Sequence, residues 1–172
     1  MFRKIILIII LLNLGLINVF AQKQSQPKKL REVAIYLLRE PGDNEEYDSN
    51  NPLWLFPVKR QVNANEPLVG TMKVLVKGAT KAEERRKYHS STFGIKFVSL
   101  SLKNGILTAR FTMPKTASFG GDLSPSIFEE AVRKTAIQFK EVKKVIVSLD
   151  GVTDFGTEDA NNFRPTNNKT QH

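Results

Sequence analysis

The stretch FVSLSLKNGILTARF, residues 97–111, decides the fold. Its apolar and polar residues alternate on both sides of Asn104-Gly105. Asn-Gly between two alternating runs is the strongest short-range signal for a two-residue hairpin turn, because both turn residues then adopt positive φ. The period of two predicts Val98, Leu100 and Leu102 on one face and Phe97, Ser99 and Ser101 on the other. Leu107, Ala109, Phe111 and Met113 line one face of the return strand. Residues 97–113 therefore form a β-hairpin.

Helical periods flank this hairpin. Upstream, Leu68, Met72, Leu75 and Val76 share one helical face, with Pro67 suited to the first turn and Gly78 to the C-terminal cap. Downstream, Phe128, Ala131, Val132, Thr135 and Phe139 do the same. Ser124 before Pro125, or Ser126 with Glu129, would start that second helix. Val33–Arg39 reads as a first strand and Leu53–Val62 as a second. Pro57 cannot donate to a ladder and places the second strand at an edge or a bulge. Val145, Val147 and Leu149 mark a last strand before Asp150-Gly151. The order β-β-α-β-β-α-β predicts an α+β fold: a single mixed sheet with two amphipathic helices packed on one face.

The ends of the chain differ from this middle. Residues 1–21 combine a basic MFRK, the apolar run IILIIILLNLGLINVF and Val19-Phe20-Ala21, the pattern of a signal peptide cleaved after Ala21. An uncleaved anchor is the alternative, but the apolar run is shorter than the ~20 residues of a usual span. Residues 22–32 form a polar lead-in, 33–151 the folded domain, and 152–172 a polar, asparagine-rich tail expected to be disordered. The chain is thus expected to be exported to the periplasm or the medium. It has no cysteine, so disulfides, thiolate metal sites, cysteine nucleophiles and a lipid anchor on cysteine are excluded.

Net charge is +9 over 172 residues, and loss of Arg3 and Lys4 with the leader lowers it by 2 to +7. Such an excess favours acidic partners. Lys81, Arg85, Arg86 and Lys87 concentrate it, but Glu83 and Glu84 halve the local charge, and export removes nucleic acid as the usual partner. Anionic wall polymer or phospholipid fits better. His89 beside Ser90 and Ser91 suggests a nucleophile and base, yet sequence neighbours rarely orient one another. Asp43, Glu45, Glu46 and Asp48 carry calcium-like oxygens without the glycine and terminal glutamate of an EF-hand. Gly120-Gly121 precedes a helix but lacks the P-loop lysine. No cofactor, metal or catalytic residue is expected. Trp54 and Phe56 are expected on one strand face, either in the core or as a shared contact surface.

Several of these segments together resemble the GerMN domain, the sporulation and spore-germination module of bacterial envelope proteins. Leu55–Val62 (LFPVKRQV) resembles its hydrophobic-Pro-Val-x-Arg strand. Val74–Arg85 (VLVKGATKAEER) resembles its Leu-Leu-x-Gly-Pro-Thr-x-x-Glu helix end. Residues 97–111 are similar to its hairpin, Thr135–Phe139 (TAIQF) to its Thr-x-x-Gln-Phe, and Val145–Gly151 (VIVSLDG) to its closing strand. Ala79 replaces the usual proline, the 40–52 loop is longer than usual, and no cysteine is available for the lipid found on many relatives. The resemblance implies a non-catalytic interaction module outside the cytoplasm, binding an envelope protein or an anionic wall component. Arg85, Arg86 and Tyr88 are the candidate binding residues. Two alternatives stand beside it: a self-associating subunit of a ring-like assembly, and a hydrolase of envelope polymer.

Overall fold

The computed structural model describes residues 29–42, 45–46 and 48–153. The expected leader, most of the lead-in, Asp43 and nearly all of the tail lie outside the described residues. Strands β1 (Leu30–Arg39) and β2 (Leu55–Asn63) are followed by helices α1 (Pro67–Leu75) and α2 (Lys81–Glu84). Strands β3 (Tyr88–His89), β4 (Lys96–Lys103) and β5 (Ile106–Thr112), helix α3 (Ser124–Ile137) and strand β6 (Lys144–Leu149) complete the order. The α+β class and the sequence of main elements are as expected. The first strand starts at Leu30, three residues into the expected lead-in.

The strands hydrogen-bond as two three-stranded sheets, β2-β1-β3 and β4-β5-β6, rather than as one continuous ladder. One core nevertheless serves both: Ile35 and Leu37 of β1, Leu107 and Phe111 of β5, Val147 and Leu149 of β6, Met72 and Leu75 of α1 and Phe128 and Val132 of α3 are all buried in it. Burying the two helical stripes is what joins the sheets, since each helix alone is too short to be stable in water. Phe128 meets Phe111 edge to face at a centroid distance of 5.1 Å, a geometry that matches ring quadrupoles.

Asn104 and Gly105 have φ of 52° and 79°, the paired positive values of a type I′ turn, so the hairpin forms as read. Its facing differs in one place. Phe97 pairs with Phe111 and Ser99 with Arg110, so Val98 is an extra residue in a β-bulge. Beyond the bulge the alternation shifts by one. Phe97 joins Leu100 and Leu102 toward the core and stacks on Phe111 at 5.8 Å, while Val98 is expelled to solvent. A strict period of two cannot foresee this slip.

Pro57 lies in β2, whose one strand neighbour among the described residues is β1, as its missing donor requires. Trp54 sits in a turn with φ of 51°, before the strand begins. Leu55 takes the buried position, and Trp54 and Phe56 are left half-buried on the outer side, 6.3 Å apart. The two aromatics do share one fate, and it is not the core. Helix α3 includes Ser124 and is entered from Leu123, without a side-chain cap. Pro125 in its first turn leaves one fewer N–H there to satisfy.

Candidate functional site

The segment between α1 and β4 is built around a half-buried ion pair. Helix α1 ends at Leu75, and Gly78 turns the chain with φ of 72°, donating its N–H to the Leu75 carbonyl. A Cβ at Gly78 would stand 2.6 Å from Ser90 Oγ, so glycine is required both by conformation and by space. Thr80 then caps α2. The Glu83 N–H points to Thr80 Oγ1, and the Thr80 N–H donates to Glu83 Oε2 at 2.8 Å. This reciprocal capping box satisfies two otherwise orphaned donors.

Arg60, reaching across from β2, closes the arrangement. Its Nη1 donates to Glu83 Oε1 at 2.6 Å and its Nη2 to Oε2 at 2.7 Å. The pair is largely covered, with side-chain exposures of 17% and 12%. Such a bidentate, charge-assisted contact is the strongest kind available to a carboxylate. The Arg60 hydrogen bonds, opposed by burial and reinforced by the Thr80 donors, hold the Glu83 carboxyl down to about 2.

The other segments quoted above are equally occupied. On the side away from β2, strand β1 has β3 beside it at Leu38 and Arg39, and among the described residues no strand lies beside Ala34 and Tyr36 on that side. Side chains take that place. The Gln138 amide accepts from Ala34 N at 2.9 Å and donates to Ala34 O at 2.7 Å. Thr135 Oγ1 accepts from Tyr36 N at 3.1 Å, and Ser91 Oγ donates to Tyr36 O at 2.8 Å. Thr-x-x-Gln thus works as a substitute strand along an edge that would otherwise be open to pairing with another chain. At the far end, Asp150 accepts from Thr112 Oγ1 at 2.6 Å and from Met113 N at 3.1 Å, tying β6 to the end of β5.

The catalytic candidates are dispersed by the same contacts. The Ser91 hydroxyl is buried on Tyr36, and Ser90 Oγ lies 3.0 Å from Thr92 Oγ1. His89 Nε2 is 2.8 Å from Glu40 Oε1 instead of from either serine, though outside hydrogen-bond geometry. Glu45 of the acidic loop pairs with Arg39, and the Gly42 N–H, with Arg39 beside it, keeps its carboxyl below the usual range. Gly120 and Gly121 are exposed, with nothing near their missing side chains.

Arg85, Arg86 and Tyr88 sit beyond the ion pair. Arg85 follows α2 and Arg86 the turn after it, both exposed. Arg86 Cζ lies 5.7 Å from the Tyr88 ring centroid, within cation–π range. Among the described residues neither arginine has a carboxylate partner. Tyr88 is half-buried and fixed by β3 to Arg39 of β1.

A cavity of about 310 Å³ lies between the loop around Asn51 and Leu53 and the face of α3 that carries Ser126, Glu129, Glu130, Arg133 and Lys134. Its charges bind one another. Arg133 contacts Glu129 at 2.7 Å and Glu130 at 3.3 Å, and Lys134 Nζ is 3.3 Å from Asn51 Oδ1. The sequence carries no local signal for this grouping, because its two walls are some eighty residues apart.

The sequence matches no family model. It matches no curated protein either. Solved structures do match. The tandem GerMN domains of the sporulation protein GerM from Bacillus subtilis superpose with a TM-score of 0.51 at 18% identity, over 76% of this chain and 43% of that one. The first GerMN domain of the same protein gives 0.47 at 14% identity, over 73% and 86%. A Clostridium perfringens protein described as a lipoprotein gives 0.42 at 14%, over 70% and 75%. The chain therefore spans less than half of the tandem structure and has a GerMN-like fold.

Proposed function

We propose that this GerMN-like chain is an exported, non-catalytic interaction module of the bacterial envelope, binding an envelope protein or an anionic wall component through Arg85, Arg86 and Tyr88. One observation carries the reading. The polar residues of its GerMN-like segments, Arg60, Glu83, Thr135, Gln138 and Asp150, are spent inside the fold. The two arginines just outside that framework are exposed and, among the described residues, have no carboxylate partner, and Arg86 lies beside the Tyr88 ring. Rigid support under a few exposed Arg and Tyr side chains is how binding energy concentrates at interfaces. Crosslinked pull-down from the envelope, with the wild type and with Arg85→Glu/Arg86→Glu, tests it. A partner captured by the wild type and lost by the variant is expected; a partner retained by both overturns the assignment.

The hydrolase reading draws on the cavity beside α3, where Glu129 and Glu130 both stand. Both carboxylates contact the same Arg133, which suits an ion-paired wall better than an acid and a base with separated roles. The self-association reading draws on β4, which among the described residues has no strand on its outer side. Size-exclusion with light scattering separates it: a monomer over a wide concentration range removes it.

A further inference from the structure

The end of the molecule opposite Arg85 and Tyr88 has a different character. It gathers the start of β1, the β4–β5 turn and the link from α3 to β6. Three pairings place these together: Lys103 opposite Ile106, Ile106 opposite Lys144, and Gln138 on Ala34. Lys143 packs its stem on Gly105, and Arg31 lies 5.0 Å from the Phe139 ring. Lys29, Arg31, Lys103, Lys140, Lys143 and Lys144 are all exposed there, and none is in an ion pair among the described residues. Among the described residues, Glu66 and Glu141 stand against them, and Glu32 is paired with Lys59 at 2.9 Å.

Three large apolar side chains are exposed between these cations: Leu30 at 57%, Ile137 at 57% and Ile106 at 40%. At the other end, the exposed Leu123 and Val152 stand near Asp122 and Asp150. A soluble polyanion rewards the lysines but not the aliphatic side chains. An anionic bilayer surface rewards both, through lipid headgroups and the acyl boundary below them. The chain's path agrees. The apolar run at residues 5–20 is separated from Lys29 only by residues 21–28, which add Lys23 and Lys28. Eight residues reach at most about 29 Å when extended. While the apolar run lies in a bilayer, this end of the domain is the one held near it.

We infer that the end formed by Leu30–Arg31, Lys103–Ile106 and Ile137–Lys144 docks on anionic phospholipid. The ten residues of β1 separate it from Tyr88, roughly 30 Å at ~3.3 Å per residue. The domain would then lie with one end on the membrane and Arg85, Arg86 and Tyr88 facing away from it. This surface is distinct from the one proposed above, and either can fail without the other.

The test uses the full chain reconstituted in two vesicle types, phosphatidylcholine alone and phosphatidylcholine with phosphatidylglycerol at an equal ratio. The same chain is compared on both vesicle types, so the difference in amide hydrogen exchange between them reports the docking of the domain on anionic lipid. Slower exchange at residues 103–106 and 137–144 on the anionic vesicles, and unchanged exchange at 85–89, is expected. The variant Lys103→Gln/Lys140→Gln/Lys144→Gln, with an unchanged circular dichroism spectrum, should lose that protection by about fivefold per lysine. Equal exchange on both vesicles, or full protection in the variant, overturns the inference. So does the same protection from a soluble polyphosphate without vesicles, since it assigns the surface to a polymer.

Discussion

Residues 78–84 and residues 85–88 are neighbours in sequence but opposite in charge, Lys81 against Glu83 and Glu84 in the first and Arg85, Arg86 and Lys87 in the second, and the fold treats them differently. In the first group the scaffold contacts are made by three residues: Gly78 fits against Ser90, Thr80 caps α2, and Glu83 is gripped by Arg60, while Lys81 and Glu84 stay exposed. In the second, Arg85 and Arg86 have no carboxylate partner among the described residues, and the Tyr88 ring lies beside Arg86. The difference shows how a fold divides a run of mixed charge. What can reach a desolvated partner becomes scaffold, and the remainder stays available for recognition.

The sharpest way to break this contrast is Gly78→Ala. It combines a left-handed backbone with a contact of 2.6 Å, so a loss of about 2–4 kcal/mol is expected in denaturant unfolding. Glu83→Ala should cost about 2–3 kcal/mol, because it leaves Arg60 half-buried without its counter-ion and removes the capping box. A loss under half of that would mean that Arg60 finds water easily.

Acid should weaken the same contact without a mutation. The Glu83 carboxyl is lowered from 4.5 to about 2 on folding. Its contribution is therefore complete above pH 4.5 and disappears as pH falls through that interval toward 2. Screening near the surface limits the effect to about 1–2 kcal/mol. Unfolding curves should show this acid loss in the wild type and not in Glu83→Ala.

The second group should behave differently. Lys87 holds φ of 63°, so Lys87→Gly should raise stability by about 0.5–1 kcal/mol, the left-handed penalty less the entropy of glycine. Arg85→Glu/Arg86→Glu should change stability by no more than about 0.5 kcal/mol while abolishing partner capture. A large stability loss in that double variant would erase the distinction between the two groups.

Much of the frame was legible because it rests on local rules. Asn104-Gly105 demands its turn, the apolar stripes of α1 and α3 demand a core, and Pro57 demands an edge. The bulge at Val98 was not legible, since the slip comes from Phe97 seeking Phe111. Strand β3 was missed because two residues carry no periodic signal; β1 recruits them. Serines that looked like nucleophiles proved to be backbone ligands, and Trp54 proved to belong to a turn.

By itself the sequence determined the α+β class, the element order, the two buried helical faces and the absence of cysteine chemistry, all of which depend on residue type and short-range period. Only the tertiary structure decided that the strands part into two sheets, that Gln138 and Thr135 complete the edge of β1, and that Arg60 claims Glu83. Those outcomes join residues from 23 to 104 positions apart. Burial makes their hydrogen bonds obligatory, and no local pattern records which distant partner will satisfy them.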